Sequence, residues 1–283
     1  MPRPHGGKLV NRLTKASKIE KVKTEALEIP KVSVSHELRL DFENIAFGLY
    51  SPLKGPLTET EFDSVVSKGR LSNDIPWSIP ILLDVTEDEA SKFNVGDSIA
   101  IESNGELFAV VEVDDKYGWD KEFYSTNIYK TIDSEHPGVA KTNGMKPVLV
   151  GGSMEIFNEH PGKFPKYRLK PEETRFLFKE KGWRTVAGFQ TRNAPHMGHE
   201  YVQKTALSFV DGLFINPLIG KKKAGDFTDI VIIESYQALI DSYFLKNAAT
   251  LVTLEMEMRY AGPKEAIHHA IVRKNYGNRH CIV

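Results

Sequence analysis

The sequence predicts an α/β plus β protein, a β-rich first half followed by a parallel sheet covered by helices. Three observations carry that prediction. Short apolar runs separated by polar turns fill residues 79–113. After residue 165 the rhythm changes to strand-length apolar runs alternating with helix-length amphipathic ones. The length of 283 residues, against about 100–200 per ordinary domain, calls for two domains. A composition that is 41% hydrophobic and 27% charged suits a folded chain rather than a disordered one.

In the first half, Thr60 to Ser67 carries a helical pattern, and Ile79 to Val85, Ser98 to Ile101 and Leu107 to Val113 carry strand patterns. Glu87 to Lys92 reads as a single helical turn. Asn104-Gly105 between IAIE and ELFAVVEV is a hairpin signal, because both residues accept a positive φ. Pro and Gly gather between Pro137 and Pro171, including Gly151-Gly152, and predict connecting loops and short strands. The boundary falls near 165, giving domains at 1–165 and 166–283. In the second half, 184–189 is a strand and His196 to Val210 a helix. Gly212 to Leu218 is a strand, Asp229 to Phe244 a helix and Thr250 to Glu255 a strand. Pro263 to Tyr276 is a helix stopped at Gly277, and His280 to Val283 begins a buried strand. This βαβαβαβ order implies parallel strands with helices on both faces. No helix follows the last strand, so a truncated domain is expected.

Charge and cysteine content exclude several classes. With 37 Lys and Arg against 38 Asp and Glu, the net charge is −1; no bulk electrostatic grip on nucleic acid or an anionic membrane is expected. No apolar run approaches the roughly 20 residues that span a bilayer. Cys281 is the only cysteine, which rules out an intrachain disulfide and a zinc ribbon; its apolar strand predicts an inert buried thiol. The opening MPRPHGGKLVNRL lacks an apolar stretch behind its basic residues, so no secretory signal is read and a cytoplasmic location is expected.

The chemistry concentrates in Gln190-Thr191-Arg192-Asn193-Ala194-Pro195-His196-Met197-Gly198-His199-Glu200, where the first parallel strand gives way to a helix. Ligands of open α/β sheets bind at such carboxyl ends. Gln190 and Arg192 project to one side of an extended segment. Asn193 is a helix-capping residue type and Pro195 fits a first turn. His196 and His199, three apart, share a face, Gly198 leaves room for a ligand near the backbone, and the helix start favours an anion. Together they describe a phosphate site with two imidazoles and one guanidinium. A half metal site is the competing reading of His-x-x-His, but no cysteine is near and the spacing is not that of the His-Glu-x-x-His zinc helix. The lysine run of Gly220 to Asp226 reads either as a solvated loop or as a flank of the phosphates. Arg259 and Gly262 sit at a strand-to-helix junction near the expected nucleotide, with Gly262 open to a turn role alone. His268 and His269 read as packing or surface residues.

Gln190 to Glu200 resembles the QTRNxxHxxHE signature of the sulfate adenylyltransferase (ATP sulfurylase) family, and His196-Met197-Gly198-His199 has the HxGH form of nucleotidylyltransferases generally. Met258 to Ala266 (MRYAGPKEA), Met1 to Arg12 (PRPHGGKLVNR within it) and Ser51 to Leu57 (SPLKGPL) resemble further family segments, so the resemblance covers nearly the whole chain. It implies a PUA-like N-terminal β domain followed by a Rossmann-like nucleotidylyltransferase domain. It implies the reaction of ATP and sulfate to adenylyl sulfate and pyrophosphate, with Mg²⁺ accompanying ATP and homo-oligomers common among relatives. Carried over, Gln190 and Arg192 bind sulfate, and Thr191, Arg192 and Asn193 form the catalytic loop. Gln190, Thr191, Arg192, Asn193, His196 and His199 contact ATP, the two histidines stabilising the transition state; no metal ligand is implied. Two departures stand out. Many members read NPLHRAH where this chain reads NAPHMGH, and members continue into a GRDHAG loop that holds ATP and sulfate, whereas here Cys281-Ile282-Val283 ends the sequence. Half of an active site is therefore expected. The alternatives are another HxGH nucleotidylyltransferase, or an inactive nucleotide-binding or RNA-binding homologue; Gln190-Thr191-Arg192 and the absence of a KMSKS-like run argue against a tRNA-synthetase-like protein.

Overall fold

The computed structural model describes residues 1–220 and 225–282; the lysines at 221–223, a candidate phosphate flank, lie outside the described residues. The chain divides into two compact units, one of Val10–Glu159 with Met258–Ile271, the other of Met1–Leu9, His160–Glu257 and Val272–Val283.

In the first unit the elements run α1 (Ile19–Glu28), β1 (Lys31–Ser33), α2 (His36–Ala46), α3 (Glu59–Lys68), β2 (Leu83–Val85) and α4 (Glu87–Ala90). They continue with β3 (Ser98–Ser103), β4 (Glu106–Gly118), α5 (Lys121–Ile128), α6 (Pro137–Gly144) and β5 (Val148–Ile156). The strands form one sheet in the order β1-β3-β4-β5-β2, antiparallel except where β1 joins β3. The hairpin predicted at Asn104-Gly105 is present: φ is 54° and 77° at the two residues, and Ser103 faces Glu106 across it. Thr86 and Glu89 close a reciprocal capping box on α4.

Two features of this unit depart from the sequence reading. Gly151 and Gly152 are not in a loop; they lie inside the nine-residue β5. A strand tolerates them here because the segment around 54–57 crosses it closely, with Gly152 N–H donating to the Pro56 carbonyl (3.0 Å) and Met154 N–H to that of Lys54 (3.0 Å). Helices α1, α2, α5 and α6 also accompany the sheet. From Arg39 onward even the charged residues of α2 are buried: Arg39 reaches Glu43 (3.3 Å) and Glu106 (2.7 Å) while lying over the Phe108 ring, so no polar stripe marks that part of the helix. Arg259, at the strand-to-helix junction expected of it, pairs through its guanidinium with the buried Asp41 carboxylate, which also accepts the Tyr50 hydroxyl at 3.0 Å. Gly262 serves a turn, with φ of 53°. His268 packs between the rings of Tyr50 and Trp77, and His269 lies 3.6 Å from Glu265, the packing roles expected of them.

The second unit contains α7 (Pro171–Glu180), β6 (Val186–Thr191), α8 (Met197–Leu207), β7 (Gly212–Ile219), α9 (Asp229–Tyr243), β8 (Ala249–Leu251) and β9 (Leu254–Glu255). Helix α10 (Pro263–Tyr276) ends at Gly277, φ 108°, and β10 (His280–Ile282) follows. Its sheet runs β10-β6-β7-β8, every pairing parallel, with β9 continuing along β7. The run 250–255 is therefore two short strands. At the break the Asn216 side-chain amide takes the Val252 carbonyl (2.6 Å). Every residue of β7 is buried, as a central parallel strand requires, and Phe189, Ile215, Ile232, Ile233 and Tyr236 form the core under α8 and α9. His280 and Cys281 are exposed, contrary to the expected buried strand and buried thiol. The reason is position: β10 is the edge of the described sheet, flanked only by β6.

Candidate active site

Strand β6 lies between β10 and β7 and delivers Gln190 and Thr191 to its carboxyl end, opposite Asn216 and Pro217 of β7. The chain then turns through 192–196 into α8. The turn is held by one hydroxyl: Thr191 Oγ1 accepts the Asn193 N–H and donates to the Asn193 carbonyl, both at 3.1 Å. Asn193 stands three residues ahead of the N-cap position and does not cap the helix. The cap is His196, whose Nδ1 accepts the Gly198 N–H at 3.1 Å. That bond leaves Nε2 to carry the ring proton. At Gly198 a Cβ would stand 3.0 Å from His196 Cε1 and 3.1 Å from Nδ1. The glycine makes room for the capping imidazole itself.

The two imidazoles stack, centroids 3.8 Å apart and planes 24° off parallel, and His199 stands edge-on to Phe189 at 5.4 Å. His199 Nδ1 is buried without a hydrogen-bond partner. Burial, reinforced by the adjoining His196, holds the His199 pKa below the ordinary imidazole range, with the Ala194 carbonyl working the other way. The folded ring thus binds its proton less readily than the unfolded chain does. Its contribution to stability rises with pH between that lowered value and about 6.5, and is lost as pH falls through the interval. An anion bound against the pair favours the protonated ring. In an NMR titration His199 is expected to ionise below a free imidazole, and to move upward when pyrophosphate is added. An unmoved midpoint would mean that no anion binds there.

Arg192 is half-buried, and among the described residues it has no carboxylate partner. Glu200, the nearest acid in sequence, is taken by Lys204 at 2.5 Å. A guanidinium without a carboxylate partner, four residues before the imidazole that caps α8, has the chemistry to receive an anion. Gln190, also half-buried, precedes it on the strand end. Among the described residues no three His, Cys, Asp or Glu side chains converge as metal ligands, and no helix among them is long and apolar enough to cross a membrane.

The structure adds groups that sequence reasoning missed. Tyr236, buried in α9, donates its hydroxyl to Thr191 Oγ1 at 3.3 Å. Asn216, the one amide in the apolar run GLFINPLI, keeps a buried Oδ1 without a partner inside β7, opposite Gln190. The Asn216 signal was present as a polar residue in a buried strand. Tyr236 gave none, because it falls on the same face as Ile232, Ile233 and Leu239.

Comparison with known proteins adds to this geometry. A family model described as ATP-sulfurylase matches residues 165–283, and one described as a PUA-like domain matches residues 2–159. The sulfate adenylyltransferase of Hyperthermus butylicus is 52% identical over 281 residues, 99% of this chain and 72% of that protein. Those of Thermococcus onnurineus and Pyrococcus abyssi are each 54% identical over 99% of this chain and 73% of their own length. Among solved structures, the hexameric APS kinase from Thiobacillus denitrificans matches all of this chain with a TM-score of 0.80 at 24% identity. This chain spans about half of that one, 52%, and at such identity the likeness concerns the fold alone.

Proposed function

Because the chain belongs to the sulfate adenylyltransferase family, we propose that it joins sulfate to the α-phosphorus of ATP, giving adenylyl sulfate and pyrophosphate, with 166–283 as the catalytic domain and 1–165 as the PUA-like one. The observation that carries the site assignment is the stacked His196–His199 pair at the start of α8, one turn after an unneutralised Arg192.

Sulfate is fully ionised at neutral pH, so the reaction needs no general base. It needs the nucleophile held in line with the α-phosphorus, opposite the departing pyrophosphate, and it needs two anions brought together. Arg192 presents a planar fork of donors to sulfate oxygens and keeps its charge at any working pH, and the Gln190 amide adds a neutral donor. Thr191 and Asn193 form the turn that aims the guanidinium. His196, its Nδ1 committed to the helix cap, directs an Nε2–H donor at the nucleotide phosphates. His199 becomes the cationic partner as charge grows on the phosphorus oxygens. Preorganised donors aimed at developing charge, together with alignment, supply the acceleration. The residues present do not fit a protein-held Mg²⁺, since no acidic cage converges among the described residues. The ion is substrate, arriving as Mg·ATP.

The test is pyrophosphate release from Mg·ATP with and without sulfate, pulled forward by pyrophosphatase, on the protein as it occurs in the cell. Sulfate-dependent release is expected. Release that ignores sulfate but follows another acceptor would point to a different HxGH nucleotidylyltransferase.

A further inference from the structure

Thr191 is buried and its hydroxyl has two jobs in the turn, accepting from the Asn193 amide and donating to the Asn193 carbonyl. A hydroxyl has one proton and two lone pairs. With the proton on the Asn193 carbonyl and one lone pair on the Asn193 N–H, a single lone pair remains. Tyr236 fills it from the neighbouring helix at 3.3 Å. Burial pushes the Tyr236 phenol up to about 12, against the pull of the Thr191 hydroxyl and the adjacent Gln203 amide. It stays a donor throughout the neutral range. With Tyr236 in place the Thr191 hydroxyl has one satisfied arrangement. Without it, a buried lone pair goes unsatisfied and nothing from α9 holds the hydroxyl in place.

The same side chain meets the histidines by a second route. The Tyr236 ring packs on Phe189 (centroids 6.4 Å), Phe189 stands edge-on to His199 (5.4 Å), and His199 stacks on His196 (3.8 Å). A residue in the core of α9 thus backs both halves of the site, the turn through its hydroxyl and the imidazoles through its ring.

We infer that Tyr236 is a positioning residue for adenylyl transfer, its hydroxyl fixing Thr191 and so the aim of Arg192 and Asn193. The inference rests on the functional reading given above. Tyr236→Phe removes the oxygen and keeps the ring, so the Phe189 contact and the core survive. The expected result is a kcat lower by about three- to fivefold, the factor that one hydrogen bond of modest net strength represents, with the KM for ATP changed by less than about twofold. Thr191→Val is expected to lose at least as much, and Thr191→Ser to retain activity. Adding Tyr236→Phe to Thr191→Val is expected to cost almost nothing further, because the two act through one bond; a purely structural role in the core would instead make the losses multiply.

Hydrogen exchange at the Asn193 amide supplies a readout independent of activity. Tyr236→Phe is expected to speed exchange there and leave the rest of β6 protected. Unchanged exchange together with unchanged kcat, in a parent that is active, would overturn the inference, as would multiplying losses in the double variant. Should the parent show no sulfate-dependent release, the functional reading falls, and Asn193 exchange alone decides whether Tyr236 holds the turn.

Discussion

Arg192→Ala is expected to cut sulfate-dependent pyrophosphate release by about 10²–10³-fold, the cost of removing one preorganised donor from a developing charge, while leaving the folding midpoint close to that of the parent. Both halves follow from the structure. The guanidinium is half-buried and, among the described residues, joins no carboxylate, so its loss breaks no ion pair that holds the fold. In the proposed reaction sulfate sits beside a polyphosphate, and removing this cation would leave two anions facing each other without a counter-charge. Arg192→Lys is expected to recover only a small part of the loss, because an ammonium offers a point charge where the site uses a planar fork. The measurement is the coupled pyrophosphate assay beside a thermal melt. Substantial residual turnover in Arg192→Ala would remove Arg192 from the mechanism, and a large fall in melting temperature would reassign it to the fold.

The sequence made the catalytic half legible for a physical reason. Parallel strands buried on both faces are continuous apolar runs, as in GLFINPLI, and helices between them end on clear signals such as Gly277. The segment from Gln190 to Glu200 stood out because polar residues at the end of a buried strand have little structural reason to be there. What sequence could not assign was the division of labour within it. Asn193 has the right chemistry for a helix cap, yet the helix begins three residues later and the cap falls to His196. Gly198 also makes space for that imidazole, a use that spacing does not show. Such outcomes depend on which of several competing short-range hydrogen bonds wins, and spacing alone does not rank them. The first unit was harder. Helix α2 buries Arg39, Asp41, Glu43 and Asn44 along with its apolar residues, so the usual contrast between faces is erased. The two adjacent glycines of β5 carry a turn signal that tertiary contact overrides. Arg259, at a strand-to-helix junction in a segment resembling a family motif, pairs with the buried Asp41 carboxylate, a partner far away in sequence that spacing does not reveal.

Gly152→Ala is expected to destabilise the first unit by about 3 kcal/mol or more, at the upper end of what overpacking costs, and the argument rests on backbone rather than side chains. A Cβ at 152 would overlap the Glu112 carbonyl oxygen on the paired strand β4. No rotamer relieves such a clash, because both atoms belong to the ladder that pairs Glu112 with Ser153 and Val113 with Gly152. On the other side, the Gly152 N–H is bonded to Pro56 at 3.0 Å, and Gly55 packs so near that its own Cβ would overlap the Gly152 carbonyl. Three backbones are therefore stacked at distances only glycine permits, and the SPLKGPL segment is explained by close approach rather than by chemistry. Moving β5 to accept a methyl group breaks either the β4 ladder or the bonds from 54–57. Ser153→Ala is the control; its hydroxyl bonds only the exposed side of Glu112 at 2.9 Å, and a loss below about 1 kcal/mol is expected there. Urea unfolding followed by far-UV circular dichroism separates the two. A Gly152→Ala protein as stable as the control would show that the 54–57 segment does not press against β5, and the reason offered for both glycines would go with it.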